Sequence, residues 1–136
     1  MEIPLSYRKK IIIETVDPDK GRYAVHGKET TGDWYFDSEG SLHIEIAPIH
    51  EYPNDDQGVL DDTGFLMALH ELIEAKLCMN RGISQHAVDL FDFGFEGKHE
   101  PGDDAEAPYR REHRFACVIE HLVAHELGMV GYGNVE

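Results

Sequence analysis

FLMALHELIEAKLC, residues 65–78, is the most hydrophobic segment of the chain, and His70, Glu71 and Glu74 interrupt it. Its apolar residues recur with a period of about 3.6, which predicts a helix. The helix is expected to end near Asn80, because Gly82 follows as a stop signal. Three residues before the segment can cap its start: Asp61, Asp62 or Thr63.

The three polar residues have different places around this helix. With an advance of ~100° per residue, Glu74 lies ~40° from His70, and Glu71 lies ~100° away. His70 and Glu74 therefore sit together, four residues apart, at the rim of the apolar face. A carboxylate at the rim of a core needs a partner, because desolvating it alone costs several kcal/mol or more. A bound cation would be such a partner.

The pattern His70-Glu71-x-x-Glu74 differs by one residue from His-Glu-x-x-His, in which two helical ligands hold zinc and the glutamate activates a water. The spacing predicts His70 and Glu74 as metal ligands and Glu71 as the general base for a metal-bound water. Zn²⁺ is the expected ion, and the harder carboxylate ligand also allows Mn²⁺, Fe²⁺ or Mg²⁺. The alternative is a metal-free helix, with His70 donating to a carboxylate and both glutamates facing water.

The last helix offers further ligands. Pro108 is expected as its first residue and Gly128 as its end. His113 and Glu120 lie ~20° apart at the edge of its apolar arc. If the two helices pack antiparallel, their polar rims meet, so we predict His113 as the third ligand. Glu120 is then either a fourth ligand or a residue that orients a ligand from the outer shell.

The remaining chemically active residues have weaker patterns. His121 and His125 turn toward solvent on the same wheel. Tyr109 lies one turn before His113 and could donate a hydrogen bond to a ligand or simply pack. Cys78 and Cys117 have no CxxC spacing, so we expect buried small hydrophobes and not a disulfide or a metal clip.

Strands precede the helices. Arg8 to Val16 is β-branched and ends at turn residues, and Asp33 to Asp37 and Ser41 to Ala47 predict a hairpin with one wet face. Pro48 is expected to end the hairpin, before a polar connection. A short helix is expected from the cap Ser84 through SQHAVDLFDFGFE. This order predicts one α+β domain, a small antiparallel sheet packed against two long helices and one short helix.

The amino-acid composition narrows the range of possible partners and locations. The 136 residues include 12 Lys and Arg against 27 Asp and Glu, a net charge of −15. Such a charge repels phosphate backbones, so we expect no nucleic-acid partner. No apolar run has the length of a membrane span and the start lacks the pattern of a signal peptide, so we expect no membrane association and a cytoplasmic location. The sequence leaves the oligomeric state open.

These motifs resemble those of two groups of proteins. ALHELIEA with the preceding strand SLHIEIA resembles the core of zincin-type metallohydrolases, in which an edge strand binds peptide beside the metal helix. Glu74 stands where that family has a second histidine. The whole chain, with GDWYFDSEGSLHI, HELIEAKLC, GDDAEAPYRREH and IEHLVAHELG, is similar to small uncharacterised proteins of tailed bacteriophages and prophages. The resemblance implies a phage-encoded protein in the bacterial host cytoplasm.

Three functions follow as hypotheses. The first is a metal-dependent hydrolase, zincin-like, acting on a small peptide, amide or ester. The second is a non-catalytic acidic phage protein that binds a host factor, for which a charge of −15 suits a basic partner. The third is a purely structural metal site that pins the two long helices.

Overall fold

The computed structural model describes residues 10–47, 57–129 and 132, and it has strands first and helices afterwards, as predicted. The α+β class is confirmed. The strands are β1 (Ile11–Thr15), β2 (Gly32–Phe36) and β3 (Leu42–Ile46), and the helices are α1 (Gln57–Asn80), α2 (Gln85–Gly94) and α3 (Arg110–Glu126). Three short 3₁₀ turns lie between them, at Pro18–Lys20, Arg22–His26 and Pro101–Asp103.

The sheet is mixed, so the predicted antiparallel sheet is wrong in one pairing. β2 and β3 form the expected antiparallel hairpin, but β1 pairs with β3 in parallel. The strand order β1-β3-β2 puts β3 in the centre. The reason lies in the connection 16–31, whose 3₁₀ turns return the chain so that β1 adds beside β3 and not beside β2. The zincin resemblance requires β3 at an edge, and β2 occupies the edge near α1 instead.

One face of the hairpin is buried, as the alternation in β3 predicts. Leu42, Ile44 and Ile46 are buried, while His43 and Glu45 between them are partly exposed. Their buried side chains join a core with residues from β2, α1 and α2, among them Trp34, Ala75, Cys78 and Val88. The sheet therefore packs its apolar face on α1, which fixes the position of the α1 rim relative to β2.

The helix ends agree with the sequence in part. α1 ends at Asn80 as predicted but begins at Gln57, so the capping candidates at 61–63 lie inside the helix. Ser84 caps α2 as predicted, accepting a hydrogen bond of 3.1 Å from the Ala87 N–H. α3 begins at Arg110, not at Pro108. The Arg110 N–H bonds the Ala107 carbonyl, which makes residues 107–110 a turn before the helix.

Several predicted features cannot be compared. Arg8 and Lys9 of the first predicted strand lie outside the described residues, as do Pro48 and the connection through residue 56. Among the helices that the structure describes, none combines the length and the apolarity of a membrane-crossing segment.

A half-buried arginine holds α2 to the sheet. Arg22 donates two hydrogen bonds of 2.8 Å to the Asp33 carboxylate of β2. It donates two more, of 2.7 and 2.9 Å, to the Asp89 carboxylate of α2. Asp33 has only 3 % of its side chain exposed. Burial raises the pKa of Asp33 to about 6, although Arg22 opposes that shift. The guanidinium thus compensates the buried charge.

Candidate metal centre

α1 and α3 run antiparallel and bring their polar rims together. His70 of α1 contacts Glu120 of α3. Glu74, one turn after His70, contacts His113, which lies about two turns before Glu120. The four predicted metal-ligand residues therefore form one cluster. His70, Glu74 and His113 are 7 %, 5 % and 3 % exposed, so the cluster lies inside the protein at the contact between the two helices.

Three atoms of this cluster face one another, and we call them the inner triad: His70 Nε2, Glu74 Oε2 and His113 Nδ1. His70 Nε2 lies 3.2 Å from Glu74 Oε2 and 3.2 Å from His113 Nδ1. His113 Nδ1 lies 3.0 Å from the same carboxylate oxygen. Ligand atoms around a tetrahedral zinc at about 2.0–2.1 Å are roughly 3.3 Å apart. The triad therefore has the spacing of three ligands on one ion.

The other ring nitrogens face carboxylates. His70 Nδ1 donates to Glu120 Oε1 at 2.8 Å, and the second oxygen of Glu120 accepts from the Tyr132 hydroxyl. His113 Nε2 lies 3.3 Å from Asp103 Oδ1. Metal-bound histidines commonly donate their second N–H to a carboxylate in this way, which fixes the tautomer. The hydrogen bond to Glu120 gives His70 this arrangement, whereas His113 Nε2 is within ion-pair distance of Asp103 without a hydrogen bond between them.

The inner triad brings together three atoms that can bind a cation. Two imidazole nitrogens and a carboxylate oxygen meet within 3.2 Å, so protons or a metal ion must lie among them. The pKa shifts of two of these residues also show that the site stabilises positive charge. Burial lowers the pKa of His113, but Cys117 and Glu74 raise it to about 10. Burial raises the pKa of Glu74, but His113 and His70 lower it to about 2. The site therefore favours positive charge.

Glu74 is oriented from the sheet. The Trp34 Nε1–H of β2 donates a hydrogen bond of 3.0 Å to Glu74 Oε1. This leaves Glu74 Oε2 for the inner triad. Trp34 was not among the residues predicted for the site, because its role depends on the packing of β2 against α1.

Glu71 stands beside the inner triad and not within it. Its Oε2 lies 4.0 Å from His70 Nε2, and its side chain is 13 % exposed. Burial and then the charge of Glu74 raise its pKa well above the usual value, while His70 opposes the shift. Gly32 makes room for this carboxylate, since a Cβ there would lie 2.9 Å from Glu71 Oε2. A carboxyl group held this way is suited to exchanging protons.

Two cavities flank the cluster. The first, of about 260 Å³, reaches His70, Glu71 and Glu74 from the side of β2 and the loop before α3. The second, of about 280 Å³, reaches His70 and Glu71 from the side of Cys117 and Glu120. Small molecules therefore have space to approach Glu71 and the inner triad.

The prediction that Cys117 is a buried hydrophobic residue is wrong. Cys78 is buried in the core as predicted, but Cys117 is partly exposed and belongs to the cluster. Its Sγ lies 3.6 Å from His113 Nε2 and 4.0 Å from His70 Nδ1. Atoms of His70, His113 and Cys117 lie within 4.8 Å of one another, so the group could hold a metal ion. The spacing of His113 and Cys117 at i and i+4 was the available signal.

The other candidate residues named from the sequence are not part of the inner triad. The Tyr109 hydroxyl donates to buried Asp92 at 2.6 Å, so it is directed away from the inner triad. Asp92 also accepts from the Tyr23 hydroxyl at 2.7 Å. His121 and His125 are exposed, as the helical wheel predicts.

No protein-family model, curated protein or solved structure matches the chain. The zincin-like part of the predicted fold and the resemblance to phage proteins therefore stay predictions.

Proposed function

We propose that the protein is a phage-encoded, metal-dependent hydrolase in which His70, Glu74 and His113 hold a divalent cation and Glu71 is the general base. One observation carries the proposal. One imidazole nitrogen of each histidine and a carboxylate oxygen converge within 3.2 Å. A carboxylate oxygen also lies close to the other nitrogen of each ring. The arrangement needs a cation at its centre, and its spacing suits a metal ion.

Zn²⁺ is the proposed ion. Two histidines and one glutamate hold zinc in several hydrolases, and the same kind of set holds Fe²⁺ in oxygenases. Mn²⁺ and Mg²⁺ would use the carboxylate well but the imidazoles less well.

Catalysis would be shared between the ion and Glu71. When bound, a divalent cation lowers the pKa of a water and polarises a carbonyl group. Glu71 would take the proton of the attacking water and return it to the leaving group. Trp34 keeps Glu74 oriented, and Gly32, which has no side chain, leaves room for the Glu71 carboxylate. A small peptide, amide or ester would enter through the cavity beside β2.

The two alternative functions predict different experimental results. A structural metal site would bind the same ion but show no dependence on Glu71. An acidic protein that binds a host factor in the bacterial cytoplasm would need no ion at all. The resemblance to phage proteins supports a phage origin for all three functions.

Elemental analysis of protein purified without a histidine tag tests the metal. We expect about one Zn²⁺ per chain in wild type and none in His70→Ala, because His70 supplies a nitrogen to the inner triad. His125→Ala is the matched control, since His125 is exposed on α3, and it should keep the metal. A metal-free wild type after growth in metal-replete medium would contradict the proposal.

Gly102→Ala should weaken metal binding without removing a ligand. A Cβ at Gly102 would lie 2.4 Å from His113 Cγ and 2.5 Å from Nδ1, so the imidazole must move. We expect Zn²⁺ affinity to fall about 10–100-fold, the usual effect of disturbing a ligand's support. Competition with a chromophoric chelator measures it.

Gly94→Ala is the control for this change, because a Cβ there meets nothing within 4 Å. Equal affinities of the two alanine variants would show that His113 does not need its present position to bind metal.

A further inference from the structure

The two imidazoles present a second set of ligand atoms on the side opposite Glu74. We call His70 Nδ1, His113 Nε2 and Cys117 Sγ the outer triad. The Sγ lies 4.0 Å from the first nitrogen and 3.6 Å from the second. A tetrahedral zinc with one thiolate and two imidazoles has sulfur–nitrogen separations of roughly 3.5 Å. Small adjustments of the side chains would bring the outer triad to that spacing.

Further ligands are close. Glu120 Oε1 lies 2.8 Å from His70 Nδ1, and Asp103 Oδ1 lies 3.3 Å from His113 Nε2. The second cavity opens onto this side of the cluster, with Asp103, Cys117 and Glu120 in its wall. An ion could therefore reach the outer triad and complete a four-ligand shell with a carboxylate.

The two triads differ in chemistry. The inner triad has two nitrogens and an oxygen, whereas the outer triad replaces the oxygen by sulfur. Thiolate ligands favour soft ions, and Cd²⁺ and Cu⁺ are softer than the Zn²⁺ proposed for the inner triad and much softer than Mn²⁺ or Mg²⁺. The outer triad should therefore select thiophilic ions.

The two triads also compete for the same rings. A neutral imidazole has one lone pair and one N–H, so each ring can ligate through only one of its nitrogens at a time. An ion at the outer triad needs a lone pair on His70 Nδ1 and on His113 Nε2, so the proton of each neutral ring must then lie on His70 Nε2 and on His113 Nδ1. Both protons would then point at the inner triad, where an ion can no longer bind.

We propose that the outer triad is a second metal position, selective for thiophilic ions, whose occupancy empties the inner triad. The exclusion of the inner ion rests on the proposed function, whereas the outer position does not. Binding deprotonates the Cys117 thiol and any imidazolium among the two rings, and the released protons pass to solvent. An excess of a thiophilic ion would accordingly inhibit the hydrolase through a change of tautomer.

Cd²⁺ titration of the full-length protein tests the outer position. Thiolate ligation produces an ultraviolet sulfur-to-cadmium charge-transfer band. We expect the band in wild type and in Glu74→Gln, which removes a ligand of the inner triad and none of the outer triad. It should be absent from Cys117→Ala and from Cys117→Ser, which keeps the size of the side chain. Cys78→Ala controls for the other thiol, which is buried in the core, and should keep the band.

Exchange against Co²⁺ tests the exclusion. Protein loaded with one equivalent of Co²⁺ should show visible bands without a thiolate band. One equivalent of Cd²⁺ should then produce the thiolate band and release Co²⁺ to an indicator dye. Retention of Co²⁺ together with a new thiolate band would overturn the exclusion. A wild type without a thiolate band would overturn the outer position.

These failures are separable from failure of the proposed function. Loss of metal-dependent hydrolysis in Glu74→Gln supports the inner triad whether or not cadmium binds Cys117. Conversely, a thiolate band in a protein without hydrolysis supports the outer triad alone.

Discussion

Glu71→Gln is expected to lower metal-dependent hydrolysis about 10²–10⁴-fold while the metal stays bound, the range usual for a general acid–base group. The amide keeps the shape of the side chain but cannot take up a proton. The carboxylate lies 4.0 Å from His70 Nε2, beside the inner triad and outside it, so the ligand set is unchanged. Fluorogenic peptide amides and esters, assayed with metal content on the same samples, measure both quantities.

Two further variants complete this experiment. Glu126→Gln makes the same chemical change on the exposed end of α3 and should retain full activity. Gly32→Ala keeps the Glu71 carboxylate but displaces it, since its Cβ would lie 2.9 Å from Oε2, so activity should also fall. A wild type with bound metal and activity that does not depend on Glu71 would favour the structural metal site.

Arg22→Ala is expected to lower the free energy of unfolding by about 3–5 kcal/mol, the usual result of removing one partner of a buried ion pair. The loss arises because Asp33, with 3 % of its side chain exposed, would lose the guanidinium that offsets its burial and would have to stay charged without a partner or take up a proton. The four hydrogen bonds that join β2 to α2 would disappear at the same time. Urea unfolding monitored by circular dichroism measures the change.

Arg114→Ala is the matched control, because Arg114 is exposed on α3, and its effect should stay within about 0.5 kcal/mol. Arg22→Lys should lie between the two, since lysine keeps the charge but cannot bond two carboxylates with a planar fork. A cost below about 1 kcal/mol for Arg22→Ala would show that the pairing only offsets its own desolvation.

The convergence of the two helical rims could be predicted from sequence. Helical periodicity places His70 and Glu74 on one edge of α1, and it places His113 and Glu120 on one edge of α3. Each edge is a property of a single segment. Antiparallel packing of neighbouring helices then supplied the one long-range assumption.

Other parts of the site depend on contacts that no local pattern encodes. Asp103 and Gly102 reach His113 through the path of the loop before α3, which has no periodicity. Trp34 reaches Glu74 only because β2 is the edge strand beside α1. Cys117 is different, because its spacing from His113 was visible, and treating a cysteine near an apolar arc as a hydrophobe concealed it.

The strand pairing was the main error in the fold. Hairpin formation by β2 and β3 follows from a short connection and an alternating pattern. The placement of β1 follows from the longer connection 16–31, and β-branched residues alone do not specify a parallel or an antiparallel neighbour. The start of α1 was misplaced for a related reason, because residues able to cap a helix also occur within one.

Trp34 gives the molecule its own optical signal. The chain has one tryptophan, so all of its indole fluorescence arises from a ring whose N–H is bonded to the Glu74 carboxylate. A change in the charge or position of that carboxylate alters the polarity around a single chromophore. The shape and intensity of the Trp34 emission spectrum therefore report changes at Glu74 in real time, without a label or a substrate.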